Sequence, residues 1–173
     1  LSIGNTQPEF TVSWANTISW NNFSVYGLLD ATYGNDVYNL TRQWGYRELR
    51  HGFLDQTGKP EGLMKPVGYY STLYDVNSSN SEFVEDGSYL KLREFSLNYS
   101  FPANFVQNTF GGHIDGLSLS VTGRNVFTWT DYTGFDPEVG QGGGQAGSAA
   151  VNRFDDFNYP NYRSFTGAVE VVF

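Results

Sequence analysis

Cysteine is absent from the 173 residues, which removes disulfide frameworks and thiolate metal sites. Histidine is nearly absent too. His51 and His113 are the only two, and neither stands at a metal-ligand spacing or beside a nucleophile motif, so the chain is not expected to be an enzyme. Positive charge is scarce, with 10 Lys and Arg against 18 Asp and Glu and a formal net charge of -8. Binding to a phosphate backbone needs the opposite balance, which excludes nucleic acid as a partner. No run of about 20 apolar residues is present that could form a membrane-spanning helix. The mean hydropathy of -0.40 does not exclude a membrane β-barrel, in which only alternate residues face lipid and polar loops dilute the average. The sequence begins at Leu1 with no initiator Met, signal-peptide core or targeting segment, and reads as the tail of something longer.

What the chain does have is alternation. Five stretches, at about 10–20, 23–33, 88–101, 117–129 and 164–173, place apolar residues on one parity and polar or small ones on the other. In the last, Phe165, Gly167, Val169, Val171 and Phe173 oppose Thr166, Ala168, Glu170 and Val172. A tilted strand of about 9 to 11 residues crosses the hydrocarbon layer in this way, one face to lipid and the other to a lumen. Asn21-Asn22 between the first two stretches reads as a tight hairpin turn. Pro102 ends the third, and a helical turn is expected near Asn104 to Phe110. Lys91 and Arg93 fall on the apolar parity of the third stretch, so its upper half is expected to project above the bilayer.

The connections alternate between short or moderate (21–22, 102–116) and long (34–87, 130–163). Bacterial outer-membrane barrels have short periplasmic turns and long extracellular loops, so the long segments are expected outside the cell and the C-terminus in the periplasm. The aromatics then fall into two girdles: Trp20, Phe23, Phe101 and Phe173 on the periplasmic side, and Phe10, Tyr33, Trp129 and Phe165 toward the outer side. Five strands do not close a barrel, for which about eight is the smallest usual number, so the remaining strands belong to sequence outside this chain. The fold class is all-β, five antiparallel strands of a larger transmembrane barrel. A soluble sandwich also uses aromatic-rich alternating strands, but stretches of roughly 10 to 14 residues exceed the 5 to 6 usual there.

Other features carry less chemistry. The glycine-rich run 140–147 lacks the Lys-Ser/Thr of a phosphate-cradling loop and reads as a loop tip. Asp131, Asp136, Glu138, Asp155 and Asp156 are candidate oxygen ligands for a calcium ion, although no calcium-loop spacing is present and solvated acidic loops are commoner. Loop aromatics, Trp44, Tyr46, Tyr69, Tyr70, Tyr74, Phe154, Phe157, Tyr159 and Tyr162, are expected either to pack the loops into a cap or to stack on a ligand. Asp30, Arg124 and Glu170 have lumen-facing parity, where charge is tolerated.

Two longer motifs carry a family resemblance. Phe83-Val84-Glu85-Asp86-Gly87-Ser88-Tyr89-Leu90-Lys91-Leu92-Arg93 leads into Leu97-Asn98-Tyr99, and Gly123-Arg124-Asn125-Val126-Phe127-Thr128-Trp129 continues to Tyr132-Thr133-Gly134-Phe135-Asp136-Pro137-Glu138-Val139. Both resemble signature segments of SusC/RagA-type TonB-dependent transporters, with Val126 where the family usually has Leu. Gly34 to Asn39 and Tyr159 to Phe165 match in family order.

The resemblance implies the C-terminal part of a barrel of about 22 strands, the size of plugged outer-membrane transporters, with the plug domain outside this chain. It implies TonB-dependent import of a large nutrient, a glycan or oligopeptide, with a SusD-like surface lipoprotein as partner and TonB engaged through the missing N-terminal part. The terminal aromatic Phe173 is implied as the end of the strand read by the barrel-assembly machinery. Gly134 and Pro137 are expected to shape an ordered turn, and Asp136 and Glu138 to tie it to neighbouring loops. A passive porin or structural surface barrel, and a secreted carbohydrate-binding β-sandwich, remain as alternatives.

Overall fold

The computed structural model describes residues 2–66, 68–70, 74–77, 79–139 and 153–173. The glycine-rich run 140–147 lies outside the described residues. Two compact units emerge, one formed by residues 11–32, 89–129 and 161–173, the other by residues 1–10, 33–88 and 130–160.

The first unit is built on a five-stranded sheet of β1 (Phe10–Trp20), β2 (Phe23–Tyr33), β5 (Tyr89–Ser100), β6 (Gly116–Thr130) and β8 (Ser164–Val172), in that order. Strands adjacent in the sheet follow one another in chain order, with antiparallel pairing at β2–β5 and β6–β8 although long segments join those two pairs. Asn21 sits in the left-handed region at φ 52°, as a tight β1–β2 hairpin needs and as Asn tolerates better than most residues. A helix α2 (Ala103–Phe110) follows Pro102 and stops at Gly111, whose φ of 62° closes the last turn.

Register explains why the sheet keeps two distinct faces. Along β2 and β5, Phe23, Val25, Gly27, Leu29 and Ala31 lie opposite Tyr99, Leu97, Phe95, Leu92 and Leu90, while Ser24, Tyr26, Leu28, Asp30 and Thr32 oppose Asn98, Ser96, Glu94, Lys91 and Tyr89. Between Leu28 and Leu29 the register slips by one, leaving Arg93 without an opposite number. That bulge exchanges the parity of everything before it. Lys91 therefore does not share the apolar face. It pairs with Asp30 and is fully buried, while Leu90 and Leu92 continue the apolar ladder. The expectation that the upper half of β5 leaves the bilayer is withdrawn, because its premise, cations on the apolar parity, does not hold.

A second irregularity occurs in β6. Asn125 adopts φ 51°, and Val126 Cγ2 lies 3.0 Å from where Gly123 would carry a Cβ. Val126 thus shares the side of Gly123, three residues back, which strict alternation forbids. Phe127 and Trp129, stacked with centroids 5.9 Å apart, are offset by one from the parity of Leu117, Leu119 and Val121.

The described residues of the two long segments supply most of the second unit and carry secondary structure of their own. β3 (Asp36–Asn39) pairs antiparallel with β4 (Val84–Asp86) and parallel with β7 (Phe154–Asp155). Helix α1 (Leu40–Arg47) starts directly after β3, its first turn capped by Asn39 Oδ1 accepting from the Arg42 amide at 2.8 Å. Its core is one cluster of Tyr38, Tyr46, Tyr74 and Phe83 and another of Val37, Tyr132 and Val139.

Candidate functional site

The sheet's apolar face is the first functional surface. Val121, Val169 and Val171 are 57%, 64% and 37% exposed, so these aliphatic side chains are not sealed in a water-soluble core. No second sheet covers them among the described residues, as a sandwich would require. Phe165 lies opposite Gly123, and a Cβ there would sit 3.0 Å from the Phe165 ring, so the glycine gives that ring its seat. Trp20 and Phe23 flank the hairpin turn, and Phe10 stacks on Tyr33 at 5.3 Å at the other end of those strands. Phe173 follows β8 and is exposed.

The opposite face is a ladder of mutually satisfied polar groups. The Arg93 guanidinium donates to Asp30 Oδ2, with Nε at 3.0 Å, and Ser13 Oγ donates to Asp30 Oδ1 at 2.7 Å. Arg124 Nε lies 3.2 Å from Glu94 Oε2. The Ser96 and Thr122 hydroxyls are 2.8 Å apart, and Ser118 Oγ donates to Glu170 Oε2 at 3.2 Å. Charges of opposite sign are placed to neutralise one another within the wall. Such a face suits an enclosed polar interior and would be prohibitive against lipid.

In the second unit the motif residues converge around Glu85. Its carboxylate accepts from Arg42 Nη1 at 2.9 Å and Asn39 Nδ2 at 3.1 Å through Oε1, and from the Thr133 amide at 2.9 Å and hydroxyl at 2.7 Å through Oε2. Burial alone would raise its pKa, but the bonds from Thr133 and Arg42 outweigh it and hold the carboxyl below its ordinary range. Asp155 is a second hub. Its Oδ2 accepts from Tyr132 Oη at 2.6 Å and its Oδ1 from Thr41 Oγ1 at 3.1 Å. Burial, together with that bond to Asp155, pushes the Tyr132 phenol far above the usual tyrosine range.

Around the turn 134–138 the expected residues take different parts. Gly134 is not in a left-handed conformation. It is required because a Cβ would overlap the Tyr132 ring, so its role is space and not backbone freedom. Pro137 is fully buried. Asp136 Oδ1 accepts from the Glu138 amide at 3.0 Å within the turn, and Tyr132 and Thr133 tie the same stretch to Asp155 and Glu85. Glu85 and Asp155 were not foreseen as those anchors, although Glu85 lies inside a motif. The five acidic candidates for calcium form no group of three or more ligands among the described residues.

The loop aromatics divide. Tyr46 and Tyr74 are in the core, Tyr70 packs against it, and Phe154 stacks on Tyr38 at 4.9 Å. Burial pushes the Tyr74 hydroxyl up to about 12. Phe135, Phe157 and Tyr159 are instead exposed and line a cleft of about 250 Å³ with Pro160 and Asn158.

Sequence comparison places this architecture. TonB-dependent receptor P3 of Formosa agariphila is 30% identical over 179 residues, which cover 99% of this chain and 17% of that protein. TonB-dependent receptor P26 of the same organism is 26% identical over 99% of this chain and 18% of its own length. Over nearly its whole length the chain is similar to TonB-dependent receptors. Its fold agrees: the RagAB peptide importer in its closed-closed state matches with a TM-score of 0.72 at 19% identity, over 97% of this chain and 18% of the importer chain. In the open-open state the TM-score is 0.63. The likeness in fold is to a part of that importer, and the five-stranded sheet corresponds to a stretch of its β-barrel wall. The chain spans less than a fifth of the relatives it matches. No family model matches the sequence.

Proposed function

We propose that this chain is wall and outer loops of a TonB-dependent importer of large nutrients, glycans or oligopeptides, in the bacterial outer membrane. The two-faced sheet carries the reading. One face is an exposed apolar ladder of barrel-strand length and the other a self-neutralised polar ladder, and the receptors similar to the whole chain share that setting. In this reading about 22 strands close the barrel, with the plug and the TonB contact in sequence outside this chain, and a SusD-like lipoprotein lids the vestibule. The long segments face the medium, and Phe173 ends the strand presented to the barrel-assembly machinery. Trp20, Phe23, Phe101 and Phe173 meet the periplasmic interface, and Phe10, Tyr33 and Phe165 the outer one. Trp129 is left out of that girdle because of its parity offset after Asn125. The carboxylate hubs Glu85 and Asp155 hold the loop unit rigid at the vestibule. The role is transport and not catalysis.

The test uses the full-length receptor in cells. A cysteine replacing Tyr159 should react with a membrane-impermeant maleimide on intact cells, and one replacing Asn22 only after the outer membrane is permeabilised. Uptake of labelled glycans or oligopeptides should cease when TonB is deleted. Uptake that persisted without TonB would make the protein a passive pore.

A further inference from the structure

Helix α2 stands at the end of the sheet that also holds the Asn21-Asn22 hairpin and the end of β8. Asn22 Nδ2 donates to the Ser100 carbonyl at 2.6 Å, the Phe101 amide to the Leu117 carbonyl at 2.9 Å, and the Asp115 amide to the Val172 carbonyl at 2.7 Å. From this end a line of four rings in contact runs off the apolar face and onto the helix. Phe23 lies 4.6 Å from Tyr99, Tyr99 4.9 Å from Phe101, and Phe101 5.6 Å from Phe105 with planes 21° apart. The last of these belongs to α2. Val106, wholly buried, pins the helix in place, while Phe105 next to it is 49% exposed.

The occupant of that exposed surface follows from the strand order. The helix joins β5 to β6, both interior strands with β2 and β8 already seated on their outer flanks. No further strand can therefore insert into the sheet beside β5 or β6 next to this helix. Residues 103–110 contain no Asp, Glu, Lys or Arg, so no charge on the helix opposes placing Phe105 at a lipid boundary or favours charged headgroups. Aromatic rings favour the layer where acyl chains meet headgroups.

We propose that α2 is an in-plane anchor, with Phe105 inserted into the periplasmic leaflet of the outer membrane as the end of the ring line from β2 and β5. The proposal rests on the membrane reading of the sheet given above. The anchor fixes the depth of this part of the wall, and its lipid partner is recognised by apolar contact alone, without preference for anionic headgroups.

Nitroxide labels on single cysteines in the full-length receptor, reconstituted in phospholipid bilayers, test this. At Val121→Cys, oxygen collisions should dominate over those of a water-soluble nickel chelate. At Phe105→Cys the ratio should lie between that hydrocarbon value and the value at Gln107→Cys, and exceed the latter about twofold or more; Gln107 is about 200° round the helix from Phe105. Raising the anionic lipid fraction should leave position 105 unchanged. An aqueous reading at 105 with a hydrocarbon reading at 121 overturns the anchor and spares the barrel. A dependence of 105 on anionic lipid overturns the uncharged mode of binding. An aqueous reading at both positions overturns the membrane reading and the anchor with it.

Discussion

Thr133 and Glu85, 48 residues apart, are joined twice over, by the threonine amide at 2.9 Å and its hydroxyl at 2.7 Å to the same carboxylate oxygen. The other oxygen takes Arg42. The carboxylate therefore locks three separate segments, and its charge is needed by a guanidinium that is itself only 17% exposed. Glu85→Gln keeps the shape and removes the charge. It should cost the loop unit about 2 to 3 kcal/mol, read as faster amide hydrogen exchange at Thr133 and along residues 39–47 in the full-length protein. Unchanged exchange would show that the lock is not what orders these loops.

Acid should open the same lock. Glu85 titrates below its ordinary 4.5 in the folded state, so as pH falls the unfolded chain takes up this proton first. The stabilisation is complete above about pH 4.5 and is lost as pH falls through the lower, folded-state value. Exchange at Thr133 should accelerate in that acid window in the natural sequence, and much less so in Glu85→Gln.

His51 should respond over a different range. Burial, and then the charge of Arg42, outweigh the attraction of Glu85 and hold its pKa below 6.5. Its Nδ1 accepts from the Phe53 amide at 3.2 Å, which a proton on that nitrogen would forbid. The folded state prefers the neutral ring, so its contribution is full above about pH 6.5 and falls away as the pH drops below that toward the folded value. An NMR titration of His51 should show a midpoint below 6.5. A midpoint above it would place a carboxylate in charge of the ring.

Gly134→Ala should be costly although the backbone there suits any residue. The methyl group would overlap the Tyr132 ring, and displacing the ring breaks its 2.6 Å hydrogen bond to Asp155. A loss of about 1 to 3 kcal/mol is expected from such overpacking. Tyr132→Phe alone should lose less, since the ring stays. If the two substitutions cost the same, the overlap is being relieved elsewhere.

Period-two alternation was legible because lipid imposes it residue by residue, and it located β1, β2, β8 and most of β5 and β6. It went astray only where the backbone itself departs from the pleat, at Arg93 and Asn125, since neither a bulge nor a left-handed residue changes the composition around it. The loop unit was far less legible. Its structure depends on partners such as Asn39 with Glu85 and Thr41 with Asp155, 46 and 114 residues apart, and no local pattern announces pairs at that separation. The motif resemblance marked several of the segments involved but not which atoms meet.

Two changes at one position test the bulge at Arg93. Arg93→Ala removes the ion pair with Asp30 but keeps the residue count, so Leu90 and Leu92 stay on the apolar face opposite Ala31 and Leu29. A loss of about 1 to 2 kcal/mol is expected, with near-normal amounts of heat-modifiable barrel in the outer membrane. Deleting Arg93 removes the extra residue itself, so Glu94 opposite Leu28 is followed directly by Leu92 opposite Leu29, and Leu90, Leu92 and Lys91 keep their faces. Barrel levels close to those of Arg93→Ala are therefore expected, because both changes lose the ion pair and neither reverses the apolar ladder. Loss of folded barrel on deletion alone would show that the bulge itself, and not the pairing on either side of it, is what this strand requires.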